Sequence, residues 1–569
     1  MNKKVIIRTL EKIAVLLELQ GENPFKVSAF RKAAAALEGD VRSLSEIEDI
    51  TTIKGIGKGT AAVILELIEL GESSVLKELE EIVPKGLVPL LKLPGLGGKK
   101  LAKLYQELEI VDAETLKAAC EAGKVQALAG FGAKTEEKIL KELATFGERK
   151  ERLPMWQLEP VVVEIYELLG ALPEVQKFSV AGSFRRAKET SKDIDFIIAT
   201  DAYEVVREAL LNHLAILEVV AAGDTKVSVI LDKEDPVSID FRLVKLHEYA
   251  TALHHFTGSK DHNVRMRQLA KAQGKKISEY GVEQPDGSME TFESEEAFFA
   301  HFGLPFIPPT VRESGKELDQ LEQLSQLVSL EEIVSDLHMH TTWSDGAHSV
   351  NEMGEALIAK GYTHGVITDH SQYLKVANGL TPERLEEQAK EIVAFNAQHP
   401  SFRLYRGTEM DILPDGSLDF SDDVLKALDF VIASIHSSFT QSQDKIMARL
   451  KTAIDSPYVH MIAHPTGRIV GQRGGYEPDV AQLIEWAAEA DKILELNANP
   501  YRLDLCEEHL KMAMEKNVKI AINTDAHAID QLRFMEIGVN YAQKAWLKKE
   551  LIVNTWTVEQ FEAYIRKHK

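Results

Sequence analysis

At 569 residues the chain exceeds what one hydrophobic core serves, and three to four domains are expected. No apolar run approaches the ~18 residues of a membrane span, and two cysteines, Cys120 and Cys506, exclude a disulfide scaffold and suit a reducing, cytoplasmic compartment. The net charge of −23 excludes a uniformly basic nucleic-acid binder, although Lys85 to Lys103 holds five lysines and no acid, and His254 to Lys276 holds six basic residues against one aspartate.

The opening segment reads as an amphipathic helix with Ile6, Leu10, Ile13 and Leu17 on one face; Glu11 and Lys12 break any signal-peptide apolar region. Residues 1–80 and 81–150 are expected to form two helical domains. Within them "IKGIGKGTAAVILELI", "LPGLGGKKLAKLYQEL" and "LAGFGAKTEEKILKEL" each read apolar, x, Gly, apolar, Gly, then helix. Glycine permits a left-handed turn, and such a turn presents backbone N–H groups at a helix N-terminus, a phosphate site. This is the helix-hairpin-helix pattern, with Gly55, Gly57, Gly95, Gly97, Lys99 and Lys100 as DNA-backbone candidates. None of the three copies has P-loop spacing.

From 151 to 245, β-branched runs predict strands: "KFSVAGS", "DIDFIIA", "KVSVIL" and "VSIDFRLV". Alternation along a strand puts Asp193 and Asp195 on one face with Ile194 and Phe196 behind, and Asp240 on a face with Ser238 and Arg242. Three converging carboxylates would repel unless divalent cations neutralised them, and two Mg²⁺ ions can clamp an in-line phosphoryl transfer. The plainer reading of D-x-D is an exposed strand edge. The upstream turn weighs against it: Gly182 lets backbone approach a phosphate that Ser183 and Arg186 can bond. Residues 246–315 are helix-rich, and 316–333 read as a linker helix after a hinge.

From 334 to 569 strands alternate with helices, predicting parallel strands, with a barrel as one form. Apolar runs end in potential ligands: His338, His340 and Asp345; Asp369 and His370; Glu409; His436; His464; Asp525 and His527. In a parallel barrel these ends meet at one mouth. "KILELNAN" ends without a histidine. Mixed imidazole and carboxylate ligands suit Zn²⁺, Mn²⁺ or Fe²⁺, and so many ligands exceed one ion's needs, so two or three ions are expected.

With "NPFKVSAFRKAA", the helix-hairpin-helix turns, "GSFRR…DIDF", "IDFRL" and "HFTGSKDHNVRMR", residues 1 to about 315 resemble a family X DNA polymerase, the group of DNA polymerase beta. The resemblance implies a nucleotidyltransferase palm with a mixed sheet at 151–245 and a thumb-like nucleotide-selection subdomain at 246–315. It implies Asp193, Asp195 and Asp240 as the catalytic metal triad. Gly182, Ser183 and Arg186 would bind the triphosphate. His255 and Phe256 would lie against the sugar beside Gly258, Asn263 would meet the base, and Arg267 the template side. His255 departs from the usual tyrosine. Val63 stands where a Schiff-base lysine serves the animal enzymes, and Gly59 where another lysine is usual, although Lys26 and Lys32 survive. No imine-forming lyase is therefore expected.

The motifs "HMHTTWSDG", "ITDH", "GTE", "SIHS", "HPTGR" and "NTDAH" make residues 334–569 similar to the PHP (polymerase and histidinol phosphatase) domain, a distorted seven-stranded barrel. That resemblance implies one metal on His338, His340, Glu409 and Asp525, a second on Asp345, His370 and His527, and a third on Glu409, His436 and His464. It implies phosphoester hydrolysis. The whole is then a multidomain α+β plus α/β chain resembling bacterial family X polymerases with a C-terminal PHP domain. The expectation is short-gap filling in base-excision-type DNA repair with a 3′→5′ exonuclease, using gapped or primer-template DNA and deoxynucleoside triphosphates, Mg²⁺ or Mn²⁺ at the palm, no membrane, and a monomeric state. Two alternatives stay open: a PHP phosphatase for small phosphorylated molecules, or a DNA-binding nuclease whose polymerase half only clamps.

Overall fold

The computed structural model describes residues 3–40, 47, 49–91, 93, 96–144 and 152–568. The chain divides into two compact units, Met1–Lys150 and Glu151–Lys569.

The first unit is helical. Helices Lys3–Gln20 and Pro24–Gly39 pack against each other, and Ile6, Leu10, Ile13 and Leu17 are all buried. The Asn23 side chain accepts from the Phe25 amide and Pro24 occupies the first turn, where its missing N–H costs nothing. At the first glycine turn Gly55 has φ +112°, and a Cβ there would lie 3.1 Å from Ala36 Cβ, so glycine lets the turn close onto the preceding helix. Gly57 and Gly97 cap helices Lys58–Leu70 and Gly98–Leu108 without side-chain caps. A Cβ on either would meet nothing within 4 Å, so both helix starts are open. Gly95 lies outside the described residues.

The second unit opens with a five-stranded mixed sheet. Its spatial order is Lys177–Val180, Ile194–Ala199, Val237–Val244, Lys226–Leu231, Ile216–Ala222. Phe196, Ile198, Ile239, Phe241 and Leu243 are buried, while Asp195, Ser238, Asp240 and Arg242 turn to the other, partly open face. Strands Ile194–Ala199 and Val237–Val244 run parallel, with Asp195 directly opposite Asp240. Asp193 sits in the bend just before its strand. Beyond the sheet, helices Tyr249–Thr257, Lys260–Ala272 and Glu295–His301 and a small three-stranded sheet bury Phe298, Phe299 and Met266.

The stretch expected to be a linker helix is instead a run of 3₁₀ turns, Lys316–Asp319, Leu321–Gln326 and Leu330–Glu332. Leu318, Leu321, Leu324 and Leu327 recur every third residue, the 3₁₀ repeat, and pack on the cluster that holds Phe298 and Phe299. Glu317 is buried against His262, 2.8 Å away. The segment is a packed strap.

The C-terminal part is a seven-stranded all-parallel sheet in strict chain order, Ser335–Asp336, His364–Ile367, Arg403–Asp411, Phe430–Ser434, Met461–Ile462, Ile493–Asn497 and Ile520–Asn523. A parallel bridge between Met339 and Ala526 nearly closes it into a barrel. Interior residues such as Leu337, Val366, Phe430, Ile432 and Ile493 cluster with Phe561 and Ile565 of the last helix, Val558–Lys567.

The mixed sheet's leading segment is built into this barrel. Met155 belongs to the barrel's main hydrophobic cluster. Trp156 stacks on Tyr501 at 4.5 Å between ring centroids and donates to the Val470 carbonyl at 2.9 Å. Glu189 accepts from Arg468 at 2.8 Å and from the Tyr541 hydroxyl. Arg533 reaches Glu159 at 2.9 Å. Among the described residues, no helix is long and apolar enough to cross a membrane.

Candidate metal centres

On the mixed sheet, strand register sets Asp195 beside Asp240. The turn after strand Lys177–Val180 comes against Asp195: the Ala181 amide donates to the Asp195 carbonyl at 2.7 Å. Gly182 has φ +62°, and a Cβ there would lie 2.3 Å from Asp195 Oδ2. Only glycine fits. Burial, then the charges of Asp193 and Asp240, push the Asp195 carboxyl up to about 7. Asp240 accepts from Ser228 Oγ at 2.5 Å and pairs with Lys226 at 2.8 Å. Among the described residues the three carboxylates do not close into a group of ligand atoms within 4.8 Å of one another.

Around this pair, Ser183 Oγ donates to Ser191 Oγ at 2.8 Å, and Arg186 donates to the Thr257 carbonyl at 2.5 Å and to Glu313 at 3.0 Å. Gly258, φ +68°, ends helix Tyr249–Thr257. His255 meets Phe256 edge-on at 4.9 Å, the Arg242 guanidinium covers the Phe256 ring at 4.7 Å, and Asn263 donates to the His255 carbonyl at 2.7 Å. Arg267 is exposed. In the first unit, Lys99 is exposed, Lys100 lies 5.5 Å over the Phe131 ring, Lys26 pairs with Glu22, and Val63 is buried.

At the barrel mouth the nine strand-end residues converge. Three sets of ligand atoms lie close enough for one ion each: His340, Asp345, His370 and His527; His338, His340 and Asp525; and His370, Glu409 and His436. The grouping differs from the family-derived partition: His340 and His370 fall in two sets each, Glu409 is absent from the set of His338 and Asp525, and His464 falls in none of the three. Glu409 is the hub. Its Oε1 lies 2.8 Å from His464 Nε2 and 3.2 Å from His436 Nε2; its Oε2 lies 2.9 Å from His370 Nδ1 and 3.4 Å from His338 Nε2. His464 and Asp525 hold positive φ, 29° and 53°, a strained backbone for residues with a Cβ.

These groups fit a metal cluster. Buried His340 Nδ1 and His464 Nδ1 have no hydrogen-bond partner, and Glu409 Oε2 and His370 Nδ1, though 2.9 Å apart, are not aligned as a hydrogen bond; an orphaned buried polar atom is costly unless an ion or water takes it. Burial, then the neighbouring His527 and His370, push His340 down to about 3, which keeps it a neutral donor. Burial also works to lower His436, but Glu409 and Asp411 outweigh it and hold the ring up at about 10.

Two positioning acids were not singled out from sequence. Glu495, in a run that ends without a histidine, lies 2.7 Å from His338 Nδ1 and accepts the His464 amide at 2.7 Å. Asp411 lies 3.2 Å from His436 Nδ1. Each fixes a tautomer that turns Nε2 toward the cluster. Asp369, a strand-end acid like the ligands, accepts from Thr341 N and Oγ1, Ser344 Oγ and Gln388 Nε2 and is spent on structure.

Matches to known families follow these sites. Residues 1–73 match a helix-hairpin-helix domain, 87–145 a SAM-like helix-hairpin-helix tandem, 252–313 the DNA polymerase beta thumb, and 336–525 the PHP domain. Over 569 residues, the full length of both chains, 58% are identical to the DNA polymerase/3'-5' exonuclease PolX of Bacillus subtilis (strain 168). Probable phosphatases of Thermoanaerobacter sp. (strain X514) and Caldicellulosiruptor bescii match 42% and 41% of this chain over 96% and 95% of their own, at 28% and 29% identity. The full-length match and the order of the matched domains show that the chain belongs to the PolX family of DNA polymerase/3'-5' exonucleases.

Proposed function

We propose that the two centres act on the same bond in opposite directions: the palm (151–245), served by the thumb-like subdomain (246–315), adds nucleotides at a primer 3′-end, and the PHP barrel (334–569) hydrolyses the terminal phosphodiester. The observation that carries this reading is the pairing of Asp195 with Asp240 across parallel strands, with the Gly182 turn pressed on Asp195, in one folded unit with a barrel mouth that gathers eight of the nine expected ligands into metal-sized groups.

At the palm, Asp193, Asp195 and Asp240 hold the divalent ions, Mg²⁺ or Mn²⁺ by their all-oxygen character. Bound ions supply charge neutralisation and Lewis acidity at both centres. Lys226, paired with Asp240 at 2.8 Å, offsets part of its charge. Ser183 and Arg186 take the triphosphate, Phe256 and His255 flank the sugar, and Asn263 holds their backbone in place through the His255 carbonyl. The open helix starts at Gly57 and Gly97, with Lys99 close by, grip the DNA backbone through main-chain N–H groups. At the barrel, the nine ligands hold two or three ions of the Mn²⁺, Zn²⁺ or Fe²⁺ type, while Glu495 and Asp411 keep His338 and His436 oriented. Gapped or primer-template DNA is the substrate of both centres, and Val63 rules out imine chemistry at its position.

The probable-phosphatase relatives, confined to the barrel half, favour a second reading, hydrolysis of a small phosphorylated molecule. An assay on 3′-labelled gapped duplex decides. Asp195→Asn abolishes extension and spares primer shortening; His340→Ala does the reverse. Extension at the normal rate by Asp195→Asn refutes the palm assignment. Barrel-dependent hydrolysis of p-nitrophenyl phosphate without primer shortening selects the phosphatase reading.

A further inference from the structure

We infer that Lys544, a lysine of the barrel half, is a positioning residue for nucleotide binding at the palm: it holds Glu313, and Glu313 fixes the guanidinium of Arg186. The inference rests on the reading of Arg186 as a triphosphate ligand.

Lys544 ends helix Phe534–Lys544 with its side chain only 3% exposed. An ammonium buried to that degree needs a partner. Glu313 Oε1, 3.0 Å away, is its nearest acid; Glu507 stands off at 3.9 Å. The same Oε1 accepts from Arg186 Nε at 3.0 Å, and Glu313 Oε2 accepts from Lys188 at 2.9 Å. One carboxylate thus meets three cations.

Glu313 is itself anchored. Ser259 Oγ donates to its carbonyl at 2.7 Å, and the Ser259 amide donates to the Arg312 carbonyl at 2.9 Å. That ties the carboxylate to the Thr257–Ser259 turn, whose Thr257 carbonyl accepts the other bond from Arg186, at 2.5 Å. The two bonds use Nε and Nη1 and hold the guanidinium plane in one pose, leaving Nη2 as the edge they do not use. Next to Lys544, Gln543 accepts from Thr310 Oγ1 at 3.0 Å and donates to the Val328 carbonyl at 2.8 Å, so the helix end is docked on the thumb-like subdomain and its packed strap.

Charge explains why the lysine matters. With three cations on one carboxylate, the cluster keeps a surplus of positive charge for a triphosphate. Without Lys544, Glu313 neutralises more of Arg186 and loses the contact that aims its Oε1. Among the described residues, neither Lys544 nor Glu313 forms an ion pair with a residue of the barrel's ligand groups. The defect should therefore fall on the palm alone, although the lysine belongs to the other half.

The test measures KM and kcat for a deoxynucleoside triphosphate on gapped duplex with the full chain, and 3′→5′ shortening on the same preparations. Lys544→Met is expected to raise the nucleotide KM roughly tenfold, the scale of one charge-assisted hydrogen bond, with kcat within about twofold and shortening unchanged. Lys544→Arg retains most of the affinity. In a Glu313→Gln background, which itself raises KM, Lys544→Met adds nothing further. A nucleotide KM within about twofold of the parent for Lys544→Met, while Arg186→Ala raises it, overturns the inference and leaves the underlying reading intact. An unchanged KM for Arg186→Ala overturns that reading instead. If Lys544→Met does not fold, Glu313→Gln decides alone: a raised KM supports the positioning role, and an unchanged or lowered KM makes Glu313 a mere competitor for Arg186 and refutes it.

Discussion

Asp195 stores a cost that the protein meets only when ions are absent. Burial and the like charges of Asp193 and Asp240 raise its carboxyl from 3.8 to about 7. The folded chain therefore keeps this proton up to about pH 7, while the unfolded chain releases it near 3.8. The penalty is absent below pH 4, grows as pH rises, and is complete above pH 7. About three pH units at 1.36 kcal/mol each bound it at about 4 kcal/mol, and partial solvent access brings the working figure to roughly 2–4 kcal/mol. Asp195→Asn keeps the shape and removes the charge. In EDTA at pH 8 the variant should be more stable than the parent by that amount, read as a rise of a few degrees in the melting temperature of the unit that carries the palm. At pH 4 the two should coincide. Millimolar Mg²⁺ should stabilise the parent more than the variant, narrowing the gap, because only the parent presents the full carboxylate set. A variant that is equal or less stable at pH 8 in EDTA, or an advantage of the same size at pH 4, would refute the electrostatic argument.

Gly182→Ala should cost the polymerase at least tenfold in kcat/KM while sparing primer shortening, because its Cβ falls 2.3 Å from Asp195 Oδ2 at a φ of +62°; near-normal extension would contradict the close approach. Glu495→Gln removes the carboxylate that orients His338 and should weaken barrel metal affinity 10–100-fold, measured by Mn²⁺ titration against loss of shortening, with extension intact. His364, pushed down to about 4 by burial, is neutral in the folded chain, so its contribution is present above pH 6.5 and is lost as pH falls toward 4. His364→Phe should flatten the acid limb of the melting-temperature profile, and an unchanged limb would show that other groups set it.

Much of the barrel was legible because its strands are short apolar runs that each stop at a chemically conspicuous residue, and the parallel order 335–523 follows the chain without a single crossover out of sequence. What was not legible has a physical pattern. Glu495 carried no signal because its run ends without a histidine or any other matched ligand, and its partner His338 is 157 residues away. Lys226 gave no signal because its pairing with Asp240 depends on the neighbouring strand's register. Asp369 and Asp525 both follow an apolar run and precede a histidine, yet hydroxyl and amide donors claim the first, while the second lies against His340 and His338. The stretch 316–333 reads as a linker helix, but the three-residue spacing of Leu318, Leu321, Leu324 and Leu327 is the mark of 3₁₀ turns.

The seam around Trp156 reaches beyond either reaction. Met155 is counted among the barrel's own buried residues, and the indole beside it lies flat on Tyr501. A gene cut at the strap would release two fragments, each with a raw apolar patch where the other belonged, and neither could fold as cleanly as it does in company. Through this seam each half supplies part of the other's packing, so a mutation that loosens one is expected to be felt in both.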